Sequence, residues 1–250
     1  MWTGYDYLGE PTPYDEYWPS RSSYFGICDL AGLPKDRYWL YRSKWNKESH
    51  TLHLLPHWTW PGREGKVTPV YCYTDSPSAE LFVNGKSQGR LFKDPSSRLD
   101  RYRLRWNDVT YEPGELRVVA YDDQGKAVGE QTVRTAGKPS AFRLSCDRNR
   151  LSANGDDLSF VTVSLVDDAG TLLPDASNQL VFEVEGAGRF KAACNGDATS
   201  LEPFTTPTMR MFHGQLVVVV QSSHEKGALT LRVRDAKGAL PPSEATIMVE

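Results

Sequence analysis

The chain has 250 residues, enough for two or three domains, and carries 29 Lys and Arg against 32 Asp and Glu for a net charge of −3. That balance excludes the basic surface a nucleic-acid partner needs, and the scattered charges read as an ordinary solvated face. No apolar run approaches the ~20 residues that span a bilayer, the longest being Leu216–Val220, so no membrane partner is expected.

In chain order, the first segment is dense in aromatic residues: Trp2, Tyr5, Tyr7, Tyr14, Tyr17, Trp18, Tyr24 and Phe25 precede any regular pattern. Rings at that density line a core or a sugar site, where flat apolar faces stack on C–H surfaces and polar tips hydrogen-bond. A chain opening this way reads as the tail of a larger enzyme. Trp2–Asp6 is predicted to be a strand, followed by a long loop and then a helix over Pro34–Trp45. Pro34 suits a first turn, Asp36 favours the positive helix end, and Tyr38, Tyr41, Arg42 and Trp45 share one face. Strand, loop and helix make a βα unit.

From about Thr51 to Val133 short strands follow one another: His53–Leu55 running into Pro56–Trp60, Val70–Tyr73, Ala79–Val83, Lys86–Arg90, Tyr102–Trp106, Gly114–Tyr121 and Ala127–Val133. Asn84-Gly85 between two of them is a strong hairpin signal, and the spacing implies an antiparallel sandwich. After a linker at Thr135–Pro139, period-two alternation returns in Ala141–Cys146, Leu158–Val166, Asn178–Val184, Gln215–Val220 and Ala228–Val233. About 110 residues of this pattern suggest an immunoglobulin-like sandwich.

Chemistry-bearing candidates are sparse. Cys28, Cys72, Cys146 and Cys194 lie far apart with no CxxC spacing, which argues against a zinc site or disulfide scaffold and leaves the compartment open. A periplasmic or extracellular parent is preferred over a cytoplasmic one. His53 and His57 could ligate a metal but lack a nearby third ligand, and read as structural. Trp58 and Trp60 would share one strand face, as a sugar-stacking platform or, preferably, as packing between helix and sandwich. Asn195-Gly196-Asp197 offers too few oxygens for calcium. Asp6, Glu10, Asp15 and Glu16 sit in a Pro-rich loop and read as solvated or loop-capping acids.

The segments WTGYDYLGEPTPY, WPSRSSYFGICDLAGLPKDRYWLYRSKW and LHLLPHWTWPGREGKVTPVYCYTDSPSAELFVNGKSQGR resemble the C-terminal half of bacterial glycoside hydrolase family 2 enzymes of the β-galactosidase type. VTVSLVDDAGTLLPDASNQLVFEVEGAGRF followed by NGDATSLEPF resembles their invasin-like terminal module. The resemblance implies a mainly β fold: two β-sandwich domains, the second immunoglobulin-like, preceded by the last βα unit of a (β/α)8 barrel. The boundaries expected are 1–50, 51–136 and 137–250. Trp2–Asp6 would be the eighth barrel strand and Pro34–Trp45 the eighth helix.

Barrel sites lie at the C-terminal strand ends, so the resemblance puts Trp2, Asp6 and Tyr24 among the substrate-binding residues. The two catalytic glutamates of such retaining enzymes lie upstream of Trp2, so the resemblance implies no catalytic residue, metal or cofactor in this chain, and no hydrolysis by it alone. Family members acting on glucuronides carry an N-x-K-G motif where this sequence reads Ser23-Tyr24-Phe25-Gly26. Phe25 brings no cation to a sugar carboxylate, which favours a neutral sugar such as galactose, and it also puts the sodium site of some relatives in doubt. The partners implied are a β-galactoside or related glycan and the missing N-terminal part of the same chain, with room for a homo-oligomer. The alternative is a non-catalytic carbohydrate-binding or adhesion module.

Overall fold

The computed structural model describes residues 3–9 and 22–250. The chain folds as two compact units: one comprises the chain up to Leu33 together with Gly137–Glu250, the other is Pro34–Ala136.

The first unit begins with two short strands, β1 (Thr3–Tyr5) and β2 (Gly26–Cys28), paired in parallel with Tyr5 opposite Cys28. The strand expected over Trp2–Asp6 is present at Thr3–Tyr5, with Asp6 already beyond it, and its long loop hides a second strand. Three residues are too few to show a period, and β2 exists only because the chain returns beside β1. The return is tight: a Cβ on Gly26 would lie 2.2 Å from the backbone nitrogen of Asp6, so only glycine fits.

The helix of the second unit, α1 (Asp36–Trp45), starts with Asp36 in its first turn and ends with Arg42 and Lys44 in its last, both favourable to the helix dipole. Its packing face is not the expected Tyr38/Tyr41/Arg42/Trp45 stripe. Ser43 is its buried residue, and Trp39 stacks on His53 with ring centroids 5.0 Å apart. Tyr41 and Trp45, four residues apart, stack on one another at 4.7 Å and leave Trp45 59% exposed. Arg42 turns aside to Ser49 and Thr51.

The strands β3 (Leu52–Leu55), β4 (Val70–Thr74), β5 (Ser78–Val83), β6 (Lys86–Phe92), β7 (Leu104–Trp106), β8 (Glu115–Tyr121) and β9 (Ala127–Arg134) form two antiparallel sheets, ordered β3-β4-β7 and β6-β5-β8-β9. Strand β8 shows the physics plainly: Leu116, Val118 and Ala120 point inward and are fully buried while their neighbours stay partly exposed. The β5–β6 turn is made by Asn84 and Gly85, both at positive φ, as the sequence predicts. Asn84 also accepts the Glu115 N–H through Oδ1 and donates to the Pro113 carbonyl, tying the hairpin tip to its neighbour. The core between the sheets is strongly aromatic, with Trp58, Trp106 and Tyr111 packed among Leu54, Leu81 and Leu116.

The rest of the first unit is a second sandwich. Its strands are β10 (Ala141–Cys146), β11 (Arg150–Leu151), β12 (Leu158–Val166), β13 (Gln179–Gly186), β14 (Gly188–Cys194), β15 (Thr208–Arg210), β16 (Gln215–Ser222), β17 (Gly227–Asp235) and β18 (Ser243–Val249). They form sheets ordered β10-β12-β16-β14 and β11-β18-β17-β13-β15. Val161, Val163 and Val218 from the first sheet meet Leu180, Leu229 and Leu231 from the second, all fully buried. At its entry, the Asp167 carboxyl is held below the ordinary aspartate range. The Gly137 N–H is the largest cause, with the N–H groups of Thr171 and Ala169 adding theirs.

Candidate functional site

Asp6 is buried against the β1–β2 pair. Its N–H donates to the Cys28 carbonyl at 3.0 Å, and its Oδ1 accepts the Gly26 N–H at 2.8 Å. It therefore braces the two strands as a satisfied buried carboxylate. Tyr24, just ahead of β2, is 44% exposed and packs at a tilt on Phe25, ring centroids 5.2 Å apart. Trp2, Glu10, Asp15 and Glu16 lie outside the described residues.

Two clefts open where β1 and β2 end, on either side of Leu30. The larger, about 500 Å³, has Tyr5 and residues 30–33 on one wall. Its other wall is the outer face of the β10-β12-β16-β14 sheet, with Asp147, Phe160 and Thr162. Tyr5 lies over the turn after β2, since a Cβ on Gly32 would sit 3.9 Å from its ring. The sheet face itself is a register row: Ser145 pairs with Thr162, Thr162 with Val217, and Val217 with Cys194. The smaller cleft, about 170 Å³, sets Leu8 and Leu30 against the loop that carries Asp197, Ser200, Glu202 and Phe204.

That loop is anchored. Asn195 is buried, accepts the Asp197 N–H and donates to the Arg210 carbonyl. Glu202 accepts from Gln179 Nε2 at 2.9 Å and from the Arg210 N–H at 3.1 Å. Asp29, which follows β2, lies directly against the backbone of Gly196. The groups around the clefts are suited to holding a ligand rather than attacking one. Burial pushes the Cys194 thiol up to about 12, with Asp29 adding to it, and burial also raises Cys146. Both are protonated thiols at neutral pH and poor nucleophiles.

The candidates of the second unit resolve into structure. His53 Nε2 meets Asp36 Oδ1 at 2.8 Å between the rings of Trp39 and Tyr73. His57 stacks on Trp60 at 4.1 Å and accepts the Thr59 N–H through Nδ1. Among the described residues no group of three or more His, Cys, Asp or Glu could hold a metal ion. Trp58 and Trp60 lie in an irregular segment after β3, not on one strand face. Trp58 is wholly buried, edge-on to Tyr111, with its Nε1–H donating to the Glu112 carbonyl. It is core and cannot be half of a sugar platform.

Sequence reasoning overlooked Asp29, Phe160, Asp147 and the 197–204 loop as neighbours of the first strand. The one local hint was Phe160, an exposed ring on the strand face it shares with Thr162 and Ser164.

Comparison with known proteins finds relatives for nearly the whole chain. A family model described as glycoside hydrolase family 2 C-terminal domain 5 matches residues 142–241, and a domain of unknown function (DUF4982) matches residues 65–129. The β-galactosidase BoGH2A of Bacteroides ovatus is 47% identical over 92% of this chain, which spans 26% of that relative. A provisionally named β-glucuronidase of Formosa agariphila is 35% identical over 74% of the chain and 18% of its own length. The crystal structure of a β-glycosidase from Bacteroides vulgatus superposes with a TM-score of 0.88 at 36% identity, covering 99% of this chain and 30% of that one.

Proposed function

Because the chain belongs to glycoside hydrolase family 2 through its C-terminal domains, we propose that it is the C-terminal accessory part of a retaining β-galactosidase-type hydrolase acting on β-linked glycans. The supporting observation is that nearly the whole chain aligns with a β-galactosidase of which it spans about a quarter.

In this reading Trp2–Asp6, which includes β1, is the eighth strand of a (β/α)8 barrel, Pro34–Trp45 is its eighth helix, and the two sandwiches brace it. The parts are 1–50, 51–136 and 137–250. The retaining mechanism needs two carboxyl groups ~5–5.5 Å apart, one protonating the leaving oxygen and the other forming a glycosyl-enzyme that water then opens. Both come from the part of the protein outside this chain. What the chain contributes is binding, with Trp2, Asp6 and Tyr24 as the residues at the sugar. Phe25, 39% exposed beside Tyr24, favours a neutral sugar because it offers no cation to a uronate.

The test compares turnover of nitrophenyl β-galactoside and β-glucuronide by the full-length protein and by this chain. The full-length protein is expected to prefer the galactoside by more than about tenfold, and the chain alone to be inactive. Hydrolysis by the chain alone, or preference for the glucuronide, breaks the proposal.

A further inference from the structure

We propose that the larger cleft, between the end of β1 and the outer face of the β10-β12-β16-β14 sheet, binds a neutral oligosaccharide. Tyr5 and Phe160 stack on sugar rings, and Asp147, Ser145 and Thr162 take up hydroxyls. The proposal rests on the glycan reading above and deepens it: the immunoglobulin-like sandwich is a recognition element as well as a brace.

Four observations converge. The volume, about 500 Å³, falls within the ~300–1,000 Å³ typical of small-molecule sites. Opposite walls each present a ring to solvent, Tyr5 at 63% and Phe160 at 45% exposure. A lone exposed hydrophobe is ordinary, whereas two rings facing one cleft are the usual means of gripping the C–H faces of a sugar. The polar groups are fixed acceptors: Asp147 Oδ1 receives the Phe160 N–H at 2.8 Å and the Ser159 hydroxyl at 3.0 Å, which holds its carboxylate at the wall. Ser145 and Thr162 are cross-strand partners on the same outer face, so their hydroxyls stand side by side. Finally, the cleft opens where parallel strands end, the side on which barrel enzymes bind substrate. The carboxylate also sets the sign of selectivity, since it accepts sugar hydroxyls but repels a uronate.

The experiment titrates this chain calorimetrically with β-1,4-galactotetraose and with a tetrasaccharide containing glucuronic acid. Saturable binding of the neutral sugar is expected, weaker by about tenfold or more for the acidic one. Phe160→Ala and Tyr5→Ala are each expected to weaken neutral binding about tenfold, while Phe92→Ala, an exposed ring in the other unit, matches wild type. Thr162→Val keeps the side-chain volume and covers the case in which a ring variant misfolds; it too is expected to weaken binding. No binding of the neutral sugar, or equal affinity in wild type, Phe160→Ala and Thr162→Val, overturns the proposal. The readout is binding, not turnover, so a full-length protein that fails to cleave galactosides breaks the preceding reading and leaves this one standing.

Discussion

The two sandwiches solve the same packing problem with different materials. The sandwich of residues 34–136 fills its core with large aromatic rings whose polar tips are satisfied internally: Trp58 donates to the Glu112 carbonyl and Trp106 to that of Gly89. The sandwich of residues 137–250 contains no tryptophan or tyrosine at all and packs on valine, leucine and methionine, with Phe142 and Phe182 as its buried rings. Aromatic content therefore means different things in the two places. In the first it is building material. In the second, a ring left outside, such as Phe160, stands out against an aliphatic background and points to a surface used for something.

The largest test of this contrast is Trp58→Ala against Phe160→Ala. Removing a wholly buried tryptophan costs about 3–5 kcal/mol, and urea titration should show the unfolding midpoint of the 34–136 unit fall sharply. Removing the half-exposed Phe160 is a surface change worth about 0.5 kcal/mol or less. Comparable losses would erase the distinction.

Leu231→Ala, fully buried in the aliphatic core, is expected to cost about 2–5 kcal/mol and to lower the midpoint of the other unit alone. Tyr111→Phe isolates a polar tip. Its hydroxyl accepts the Trp60 N–H at 3.2 Å, and its loss should cost about 1 kcal/mol, measurable as a small midpoint shift.

The pH dependence sharpens the comparison further. Asp167 has its carboxyl depressed by backbone N–H groups, so its folded pKa lies below the unfolded one. Its contribution is then complete above the ordinary aspartate range and is lost as pH falls through the folded value. Thermal melts should show wild type above Asp167→Asn at neutral pH and the gap closing on acidification; a gap that widens in acid would contradict the hydrogen-bonding account. The smallest effect is chemical. Burial pushes both Cys72 and Cys194 up to about 12, one thiol in each unit, so iodoacetamide at pH 8 should leave both unmodified in the native protein and label them only after unfolding.

Much of this fold was legible where the chemistry is local. Asn84-Gly85 announces a turn with two positive φ angles, and the alternation in β8, β12 and β17 follows from one buried face. Strands whose existence depends on a distant partner were not. Strand β2 has three residues and no period, β14 opens at a turn, and β18 shows only small residues inward until Ile247 and Val249. The same distinction governs the candidate site. Asp6 could be named from the sequence, but its bond to Gly26 crosses 20 positions. The cleft joins Tyr5 to Phe160 through tertiary packing alone, which no window of sequence contains.

The contact between Asp29 and Gly196 has a mechanical consequence. A Cβ at position 196 would lie 2.0 Å from the Asp29 carboxylate, so the loop and the turn after β2 are already in touch with no slack between them. Any residue larger than glycine at 196 therefore forces the Asp29 side chain or the loop to move, which makes this one position the point where the sequence of the loop is answerable to the turn after β2.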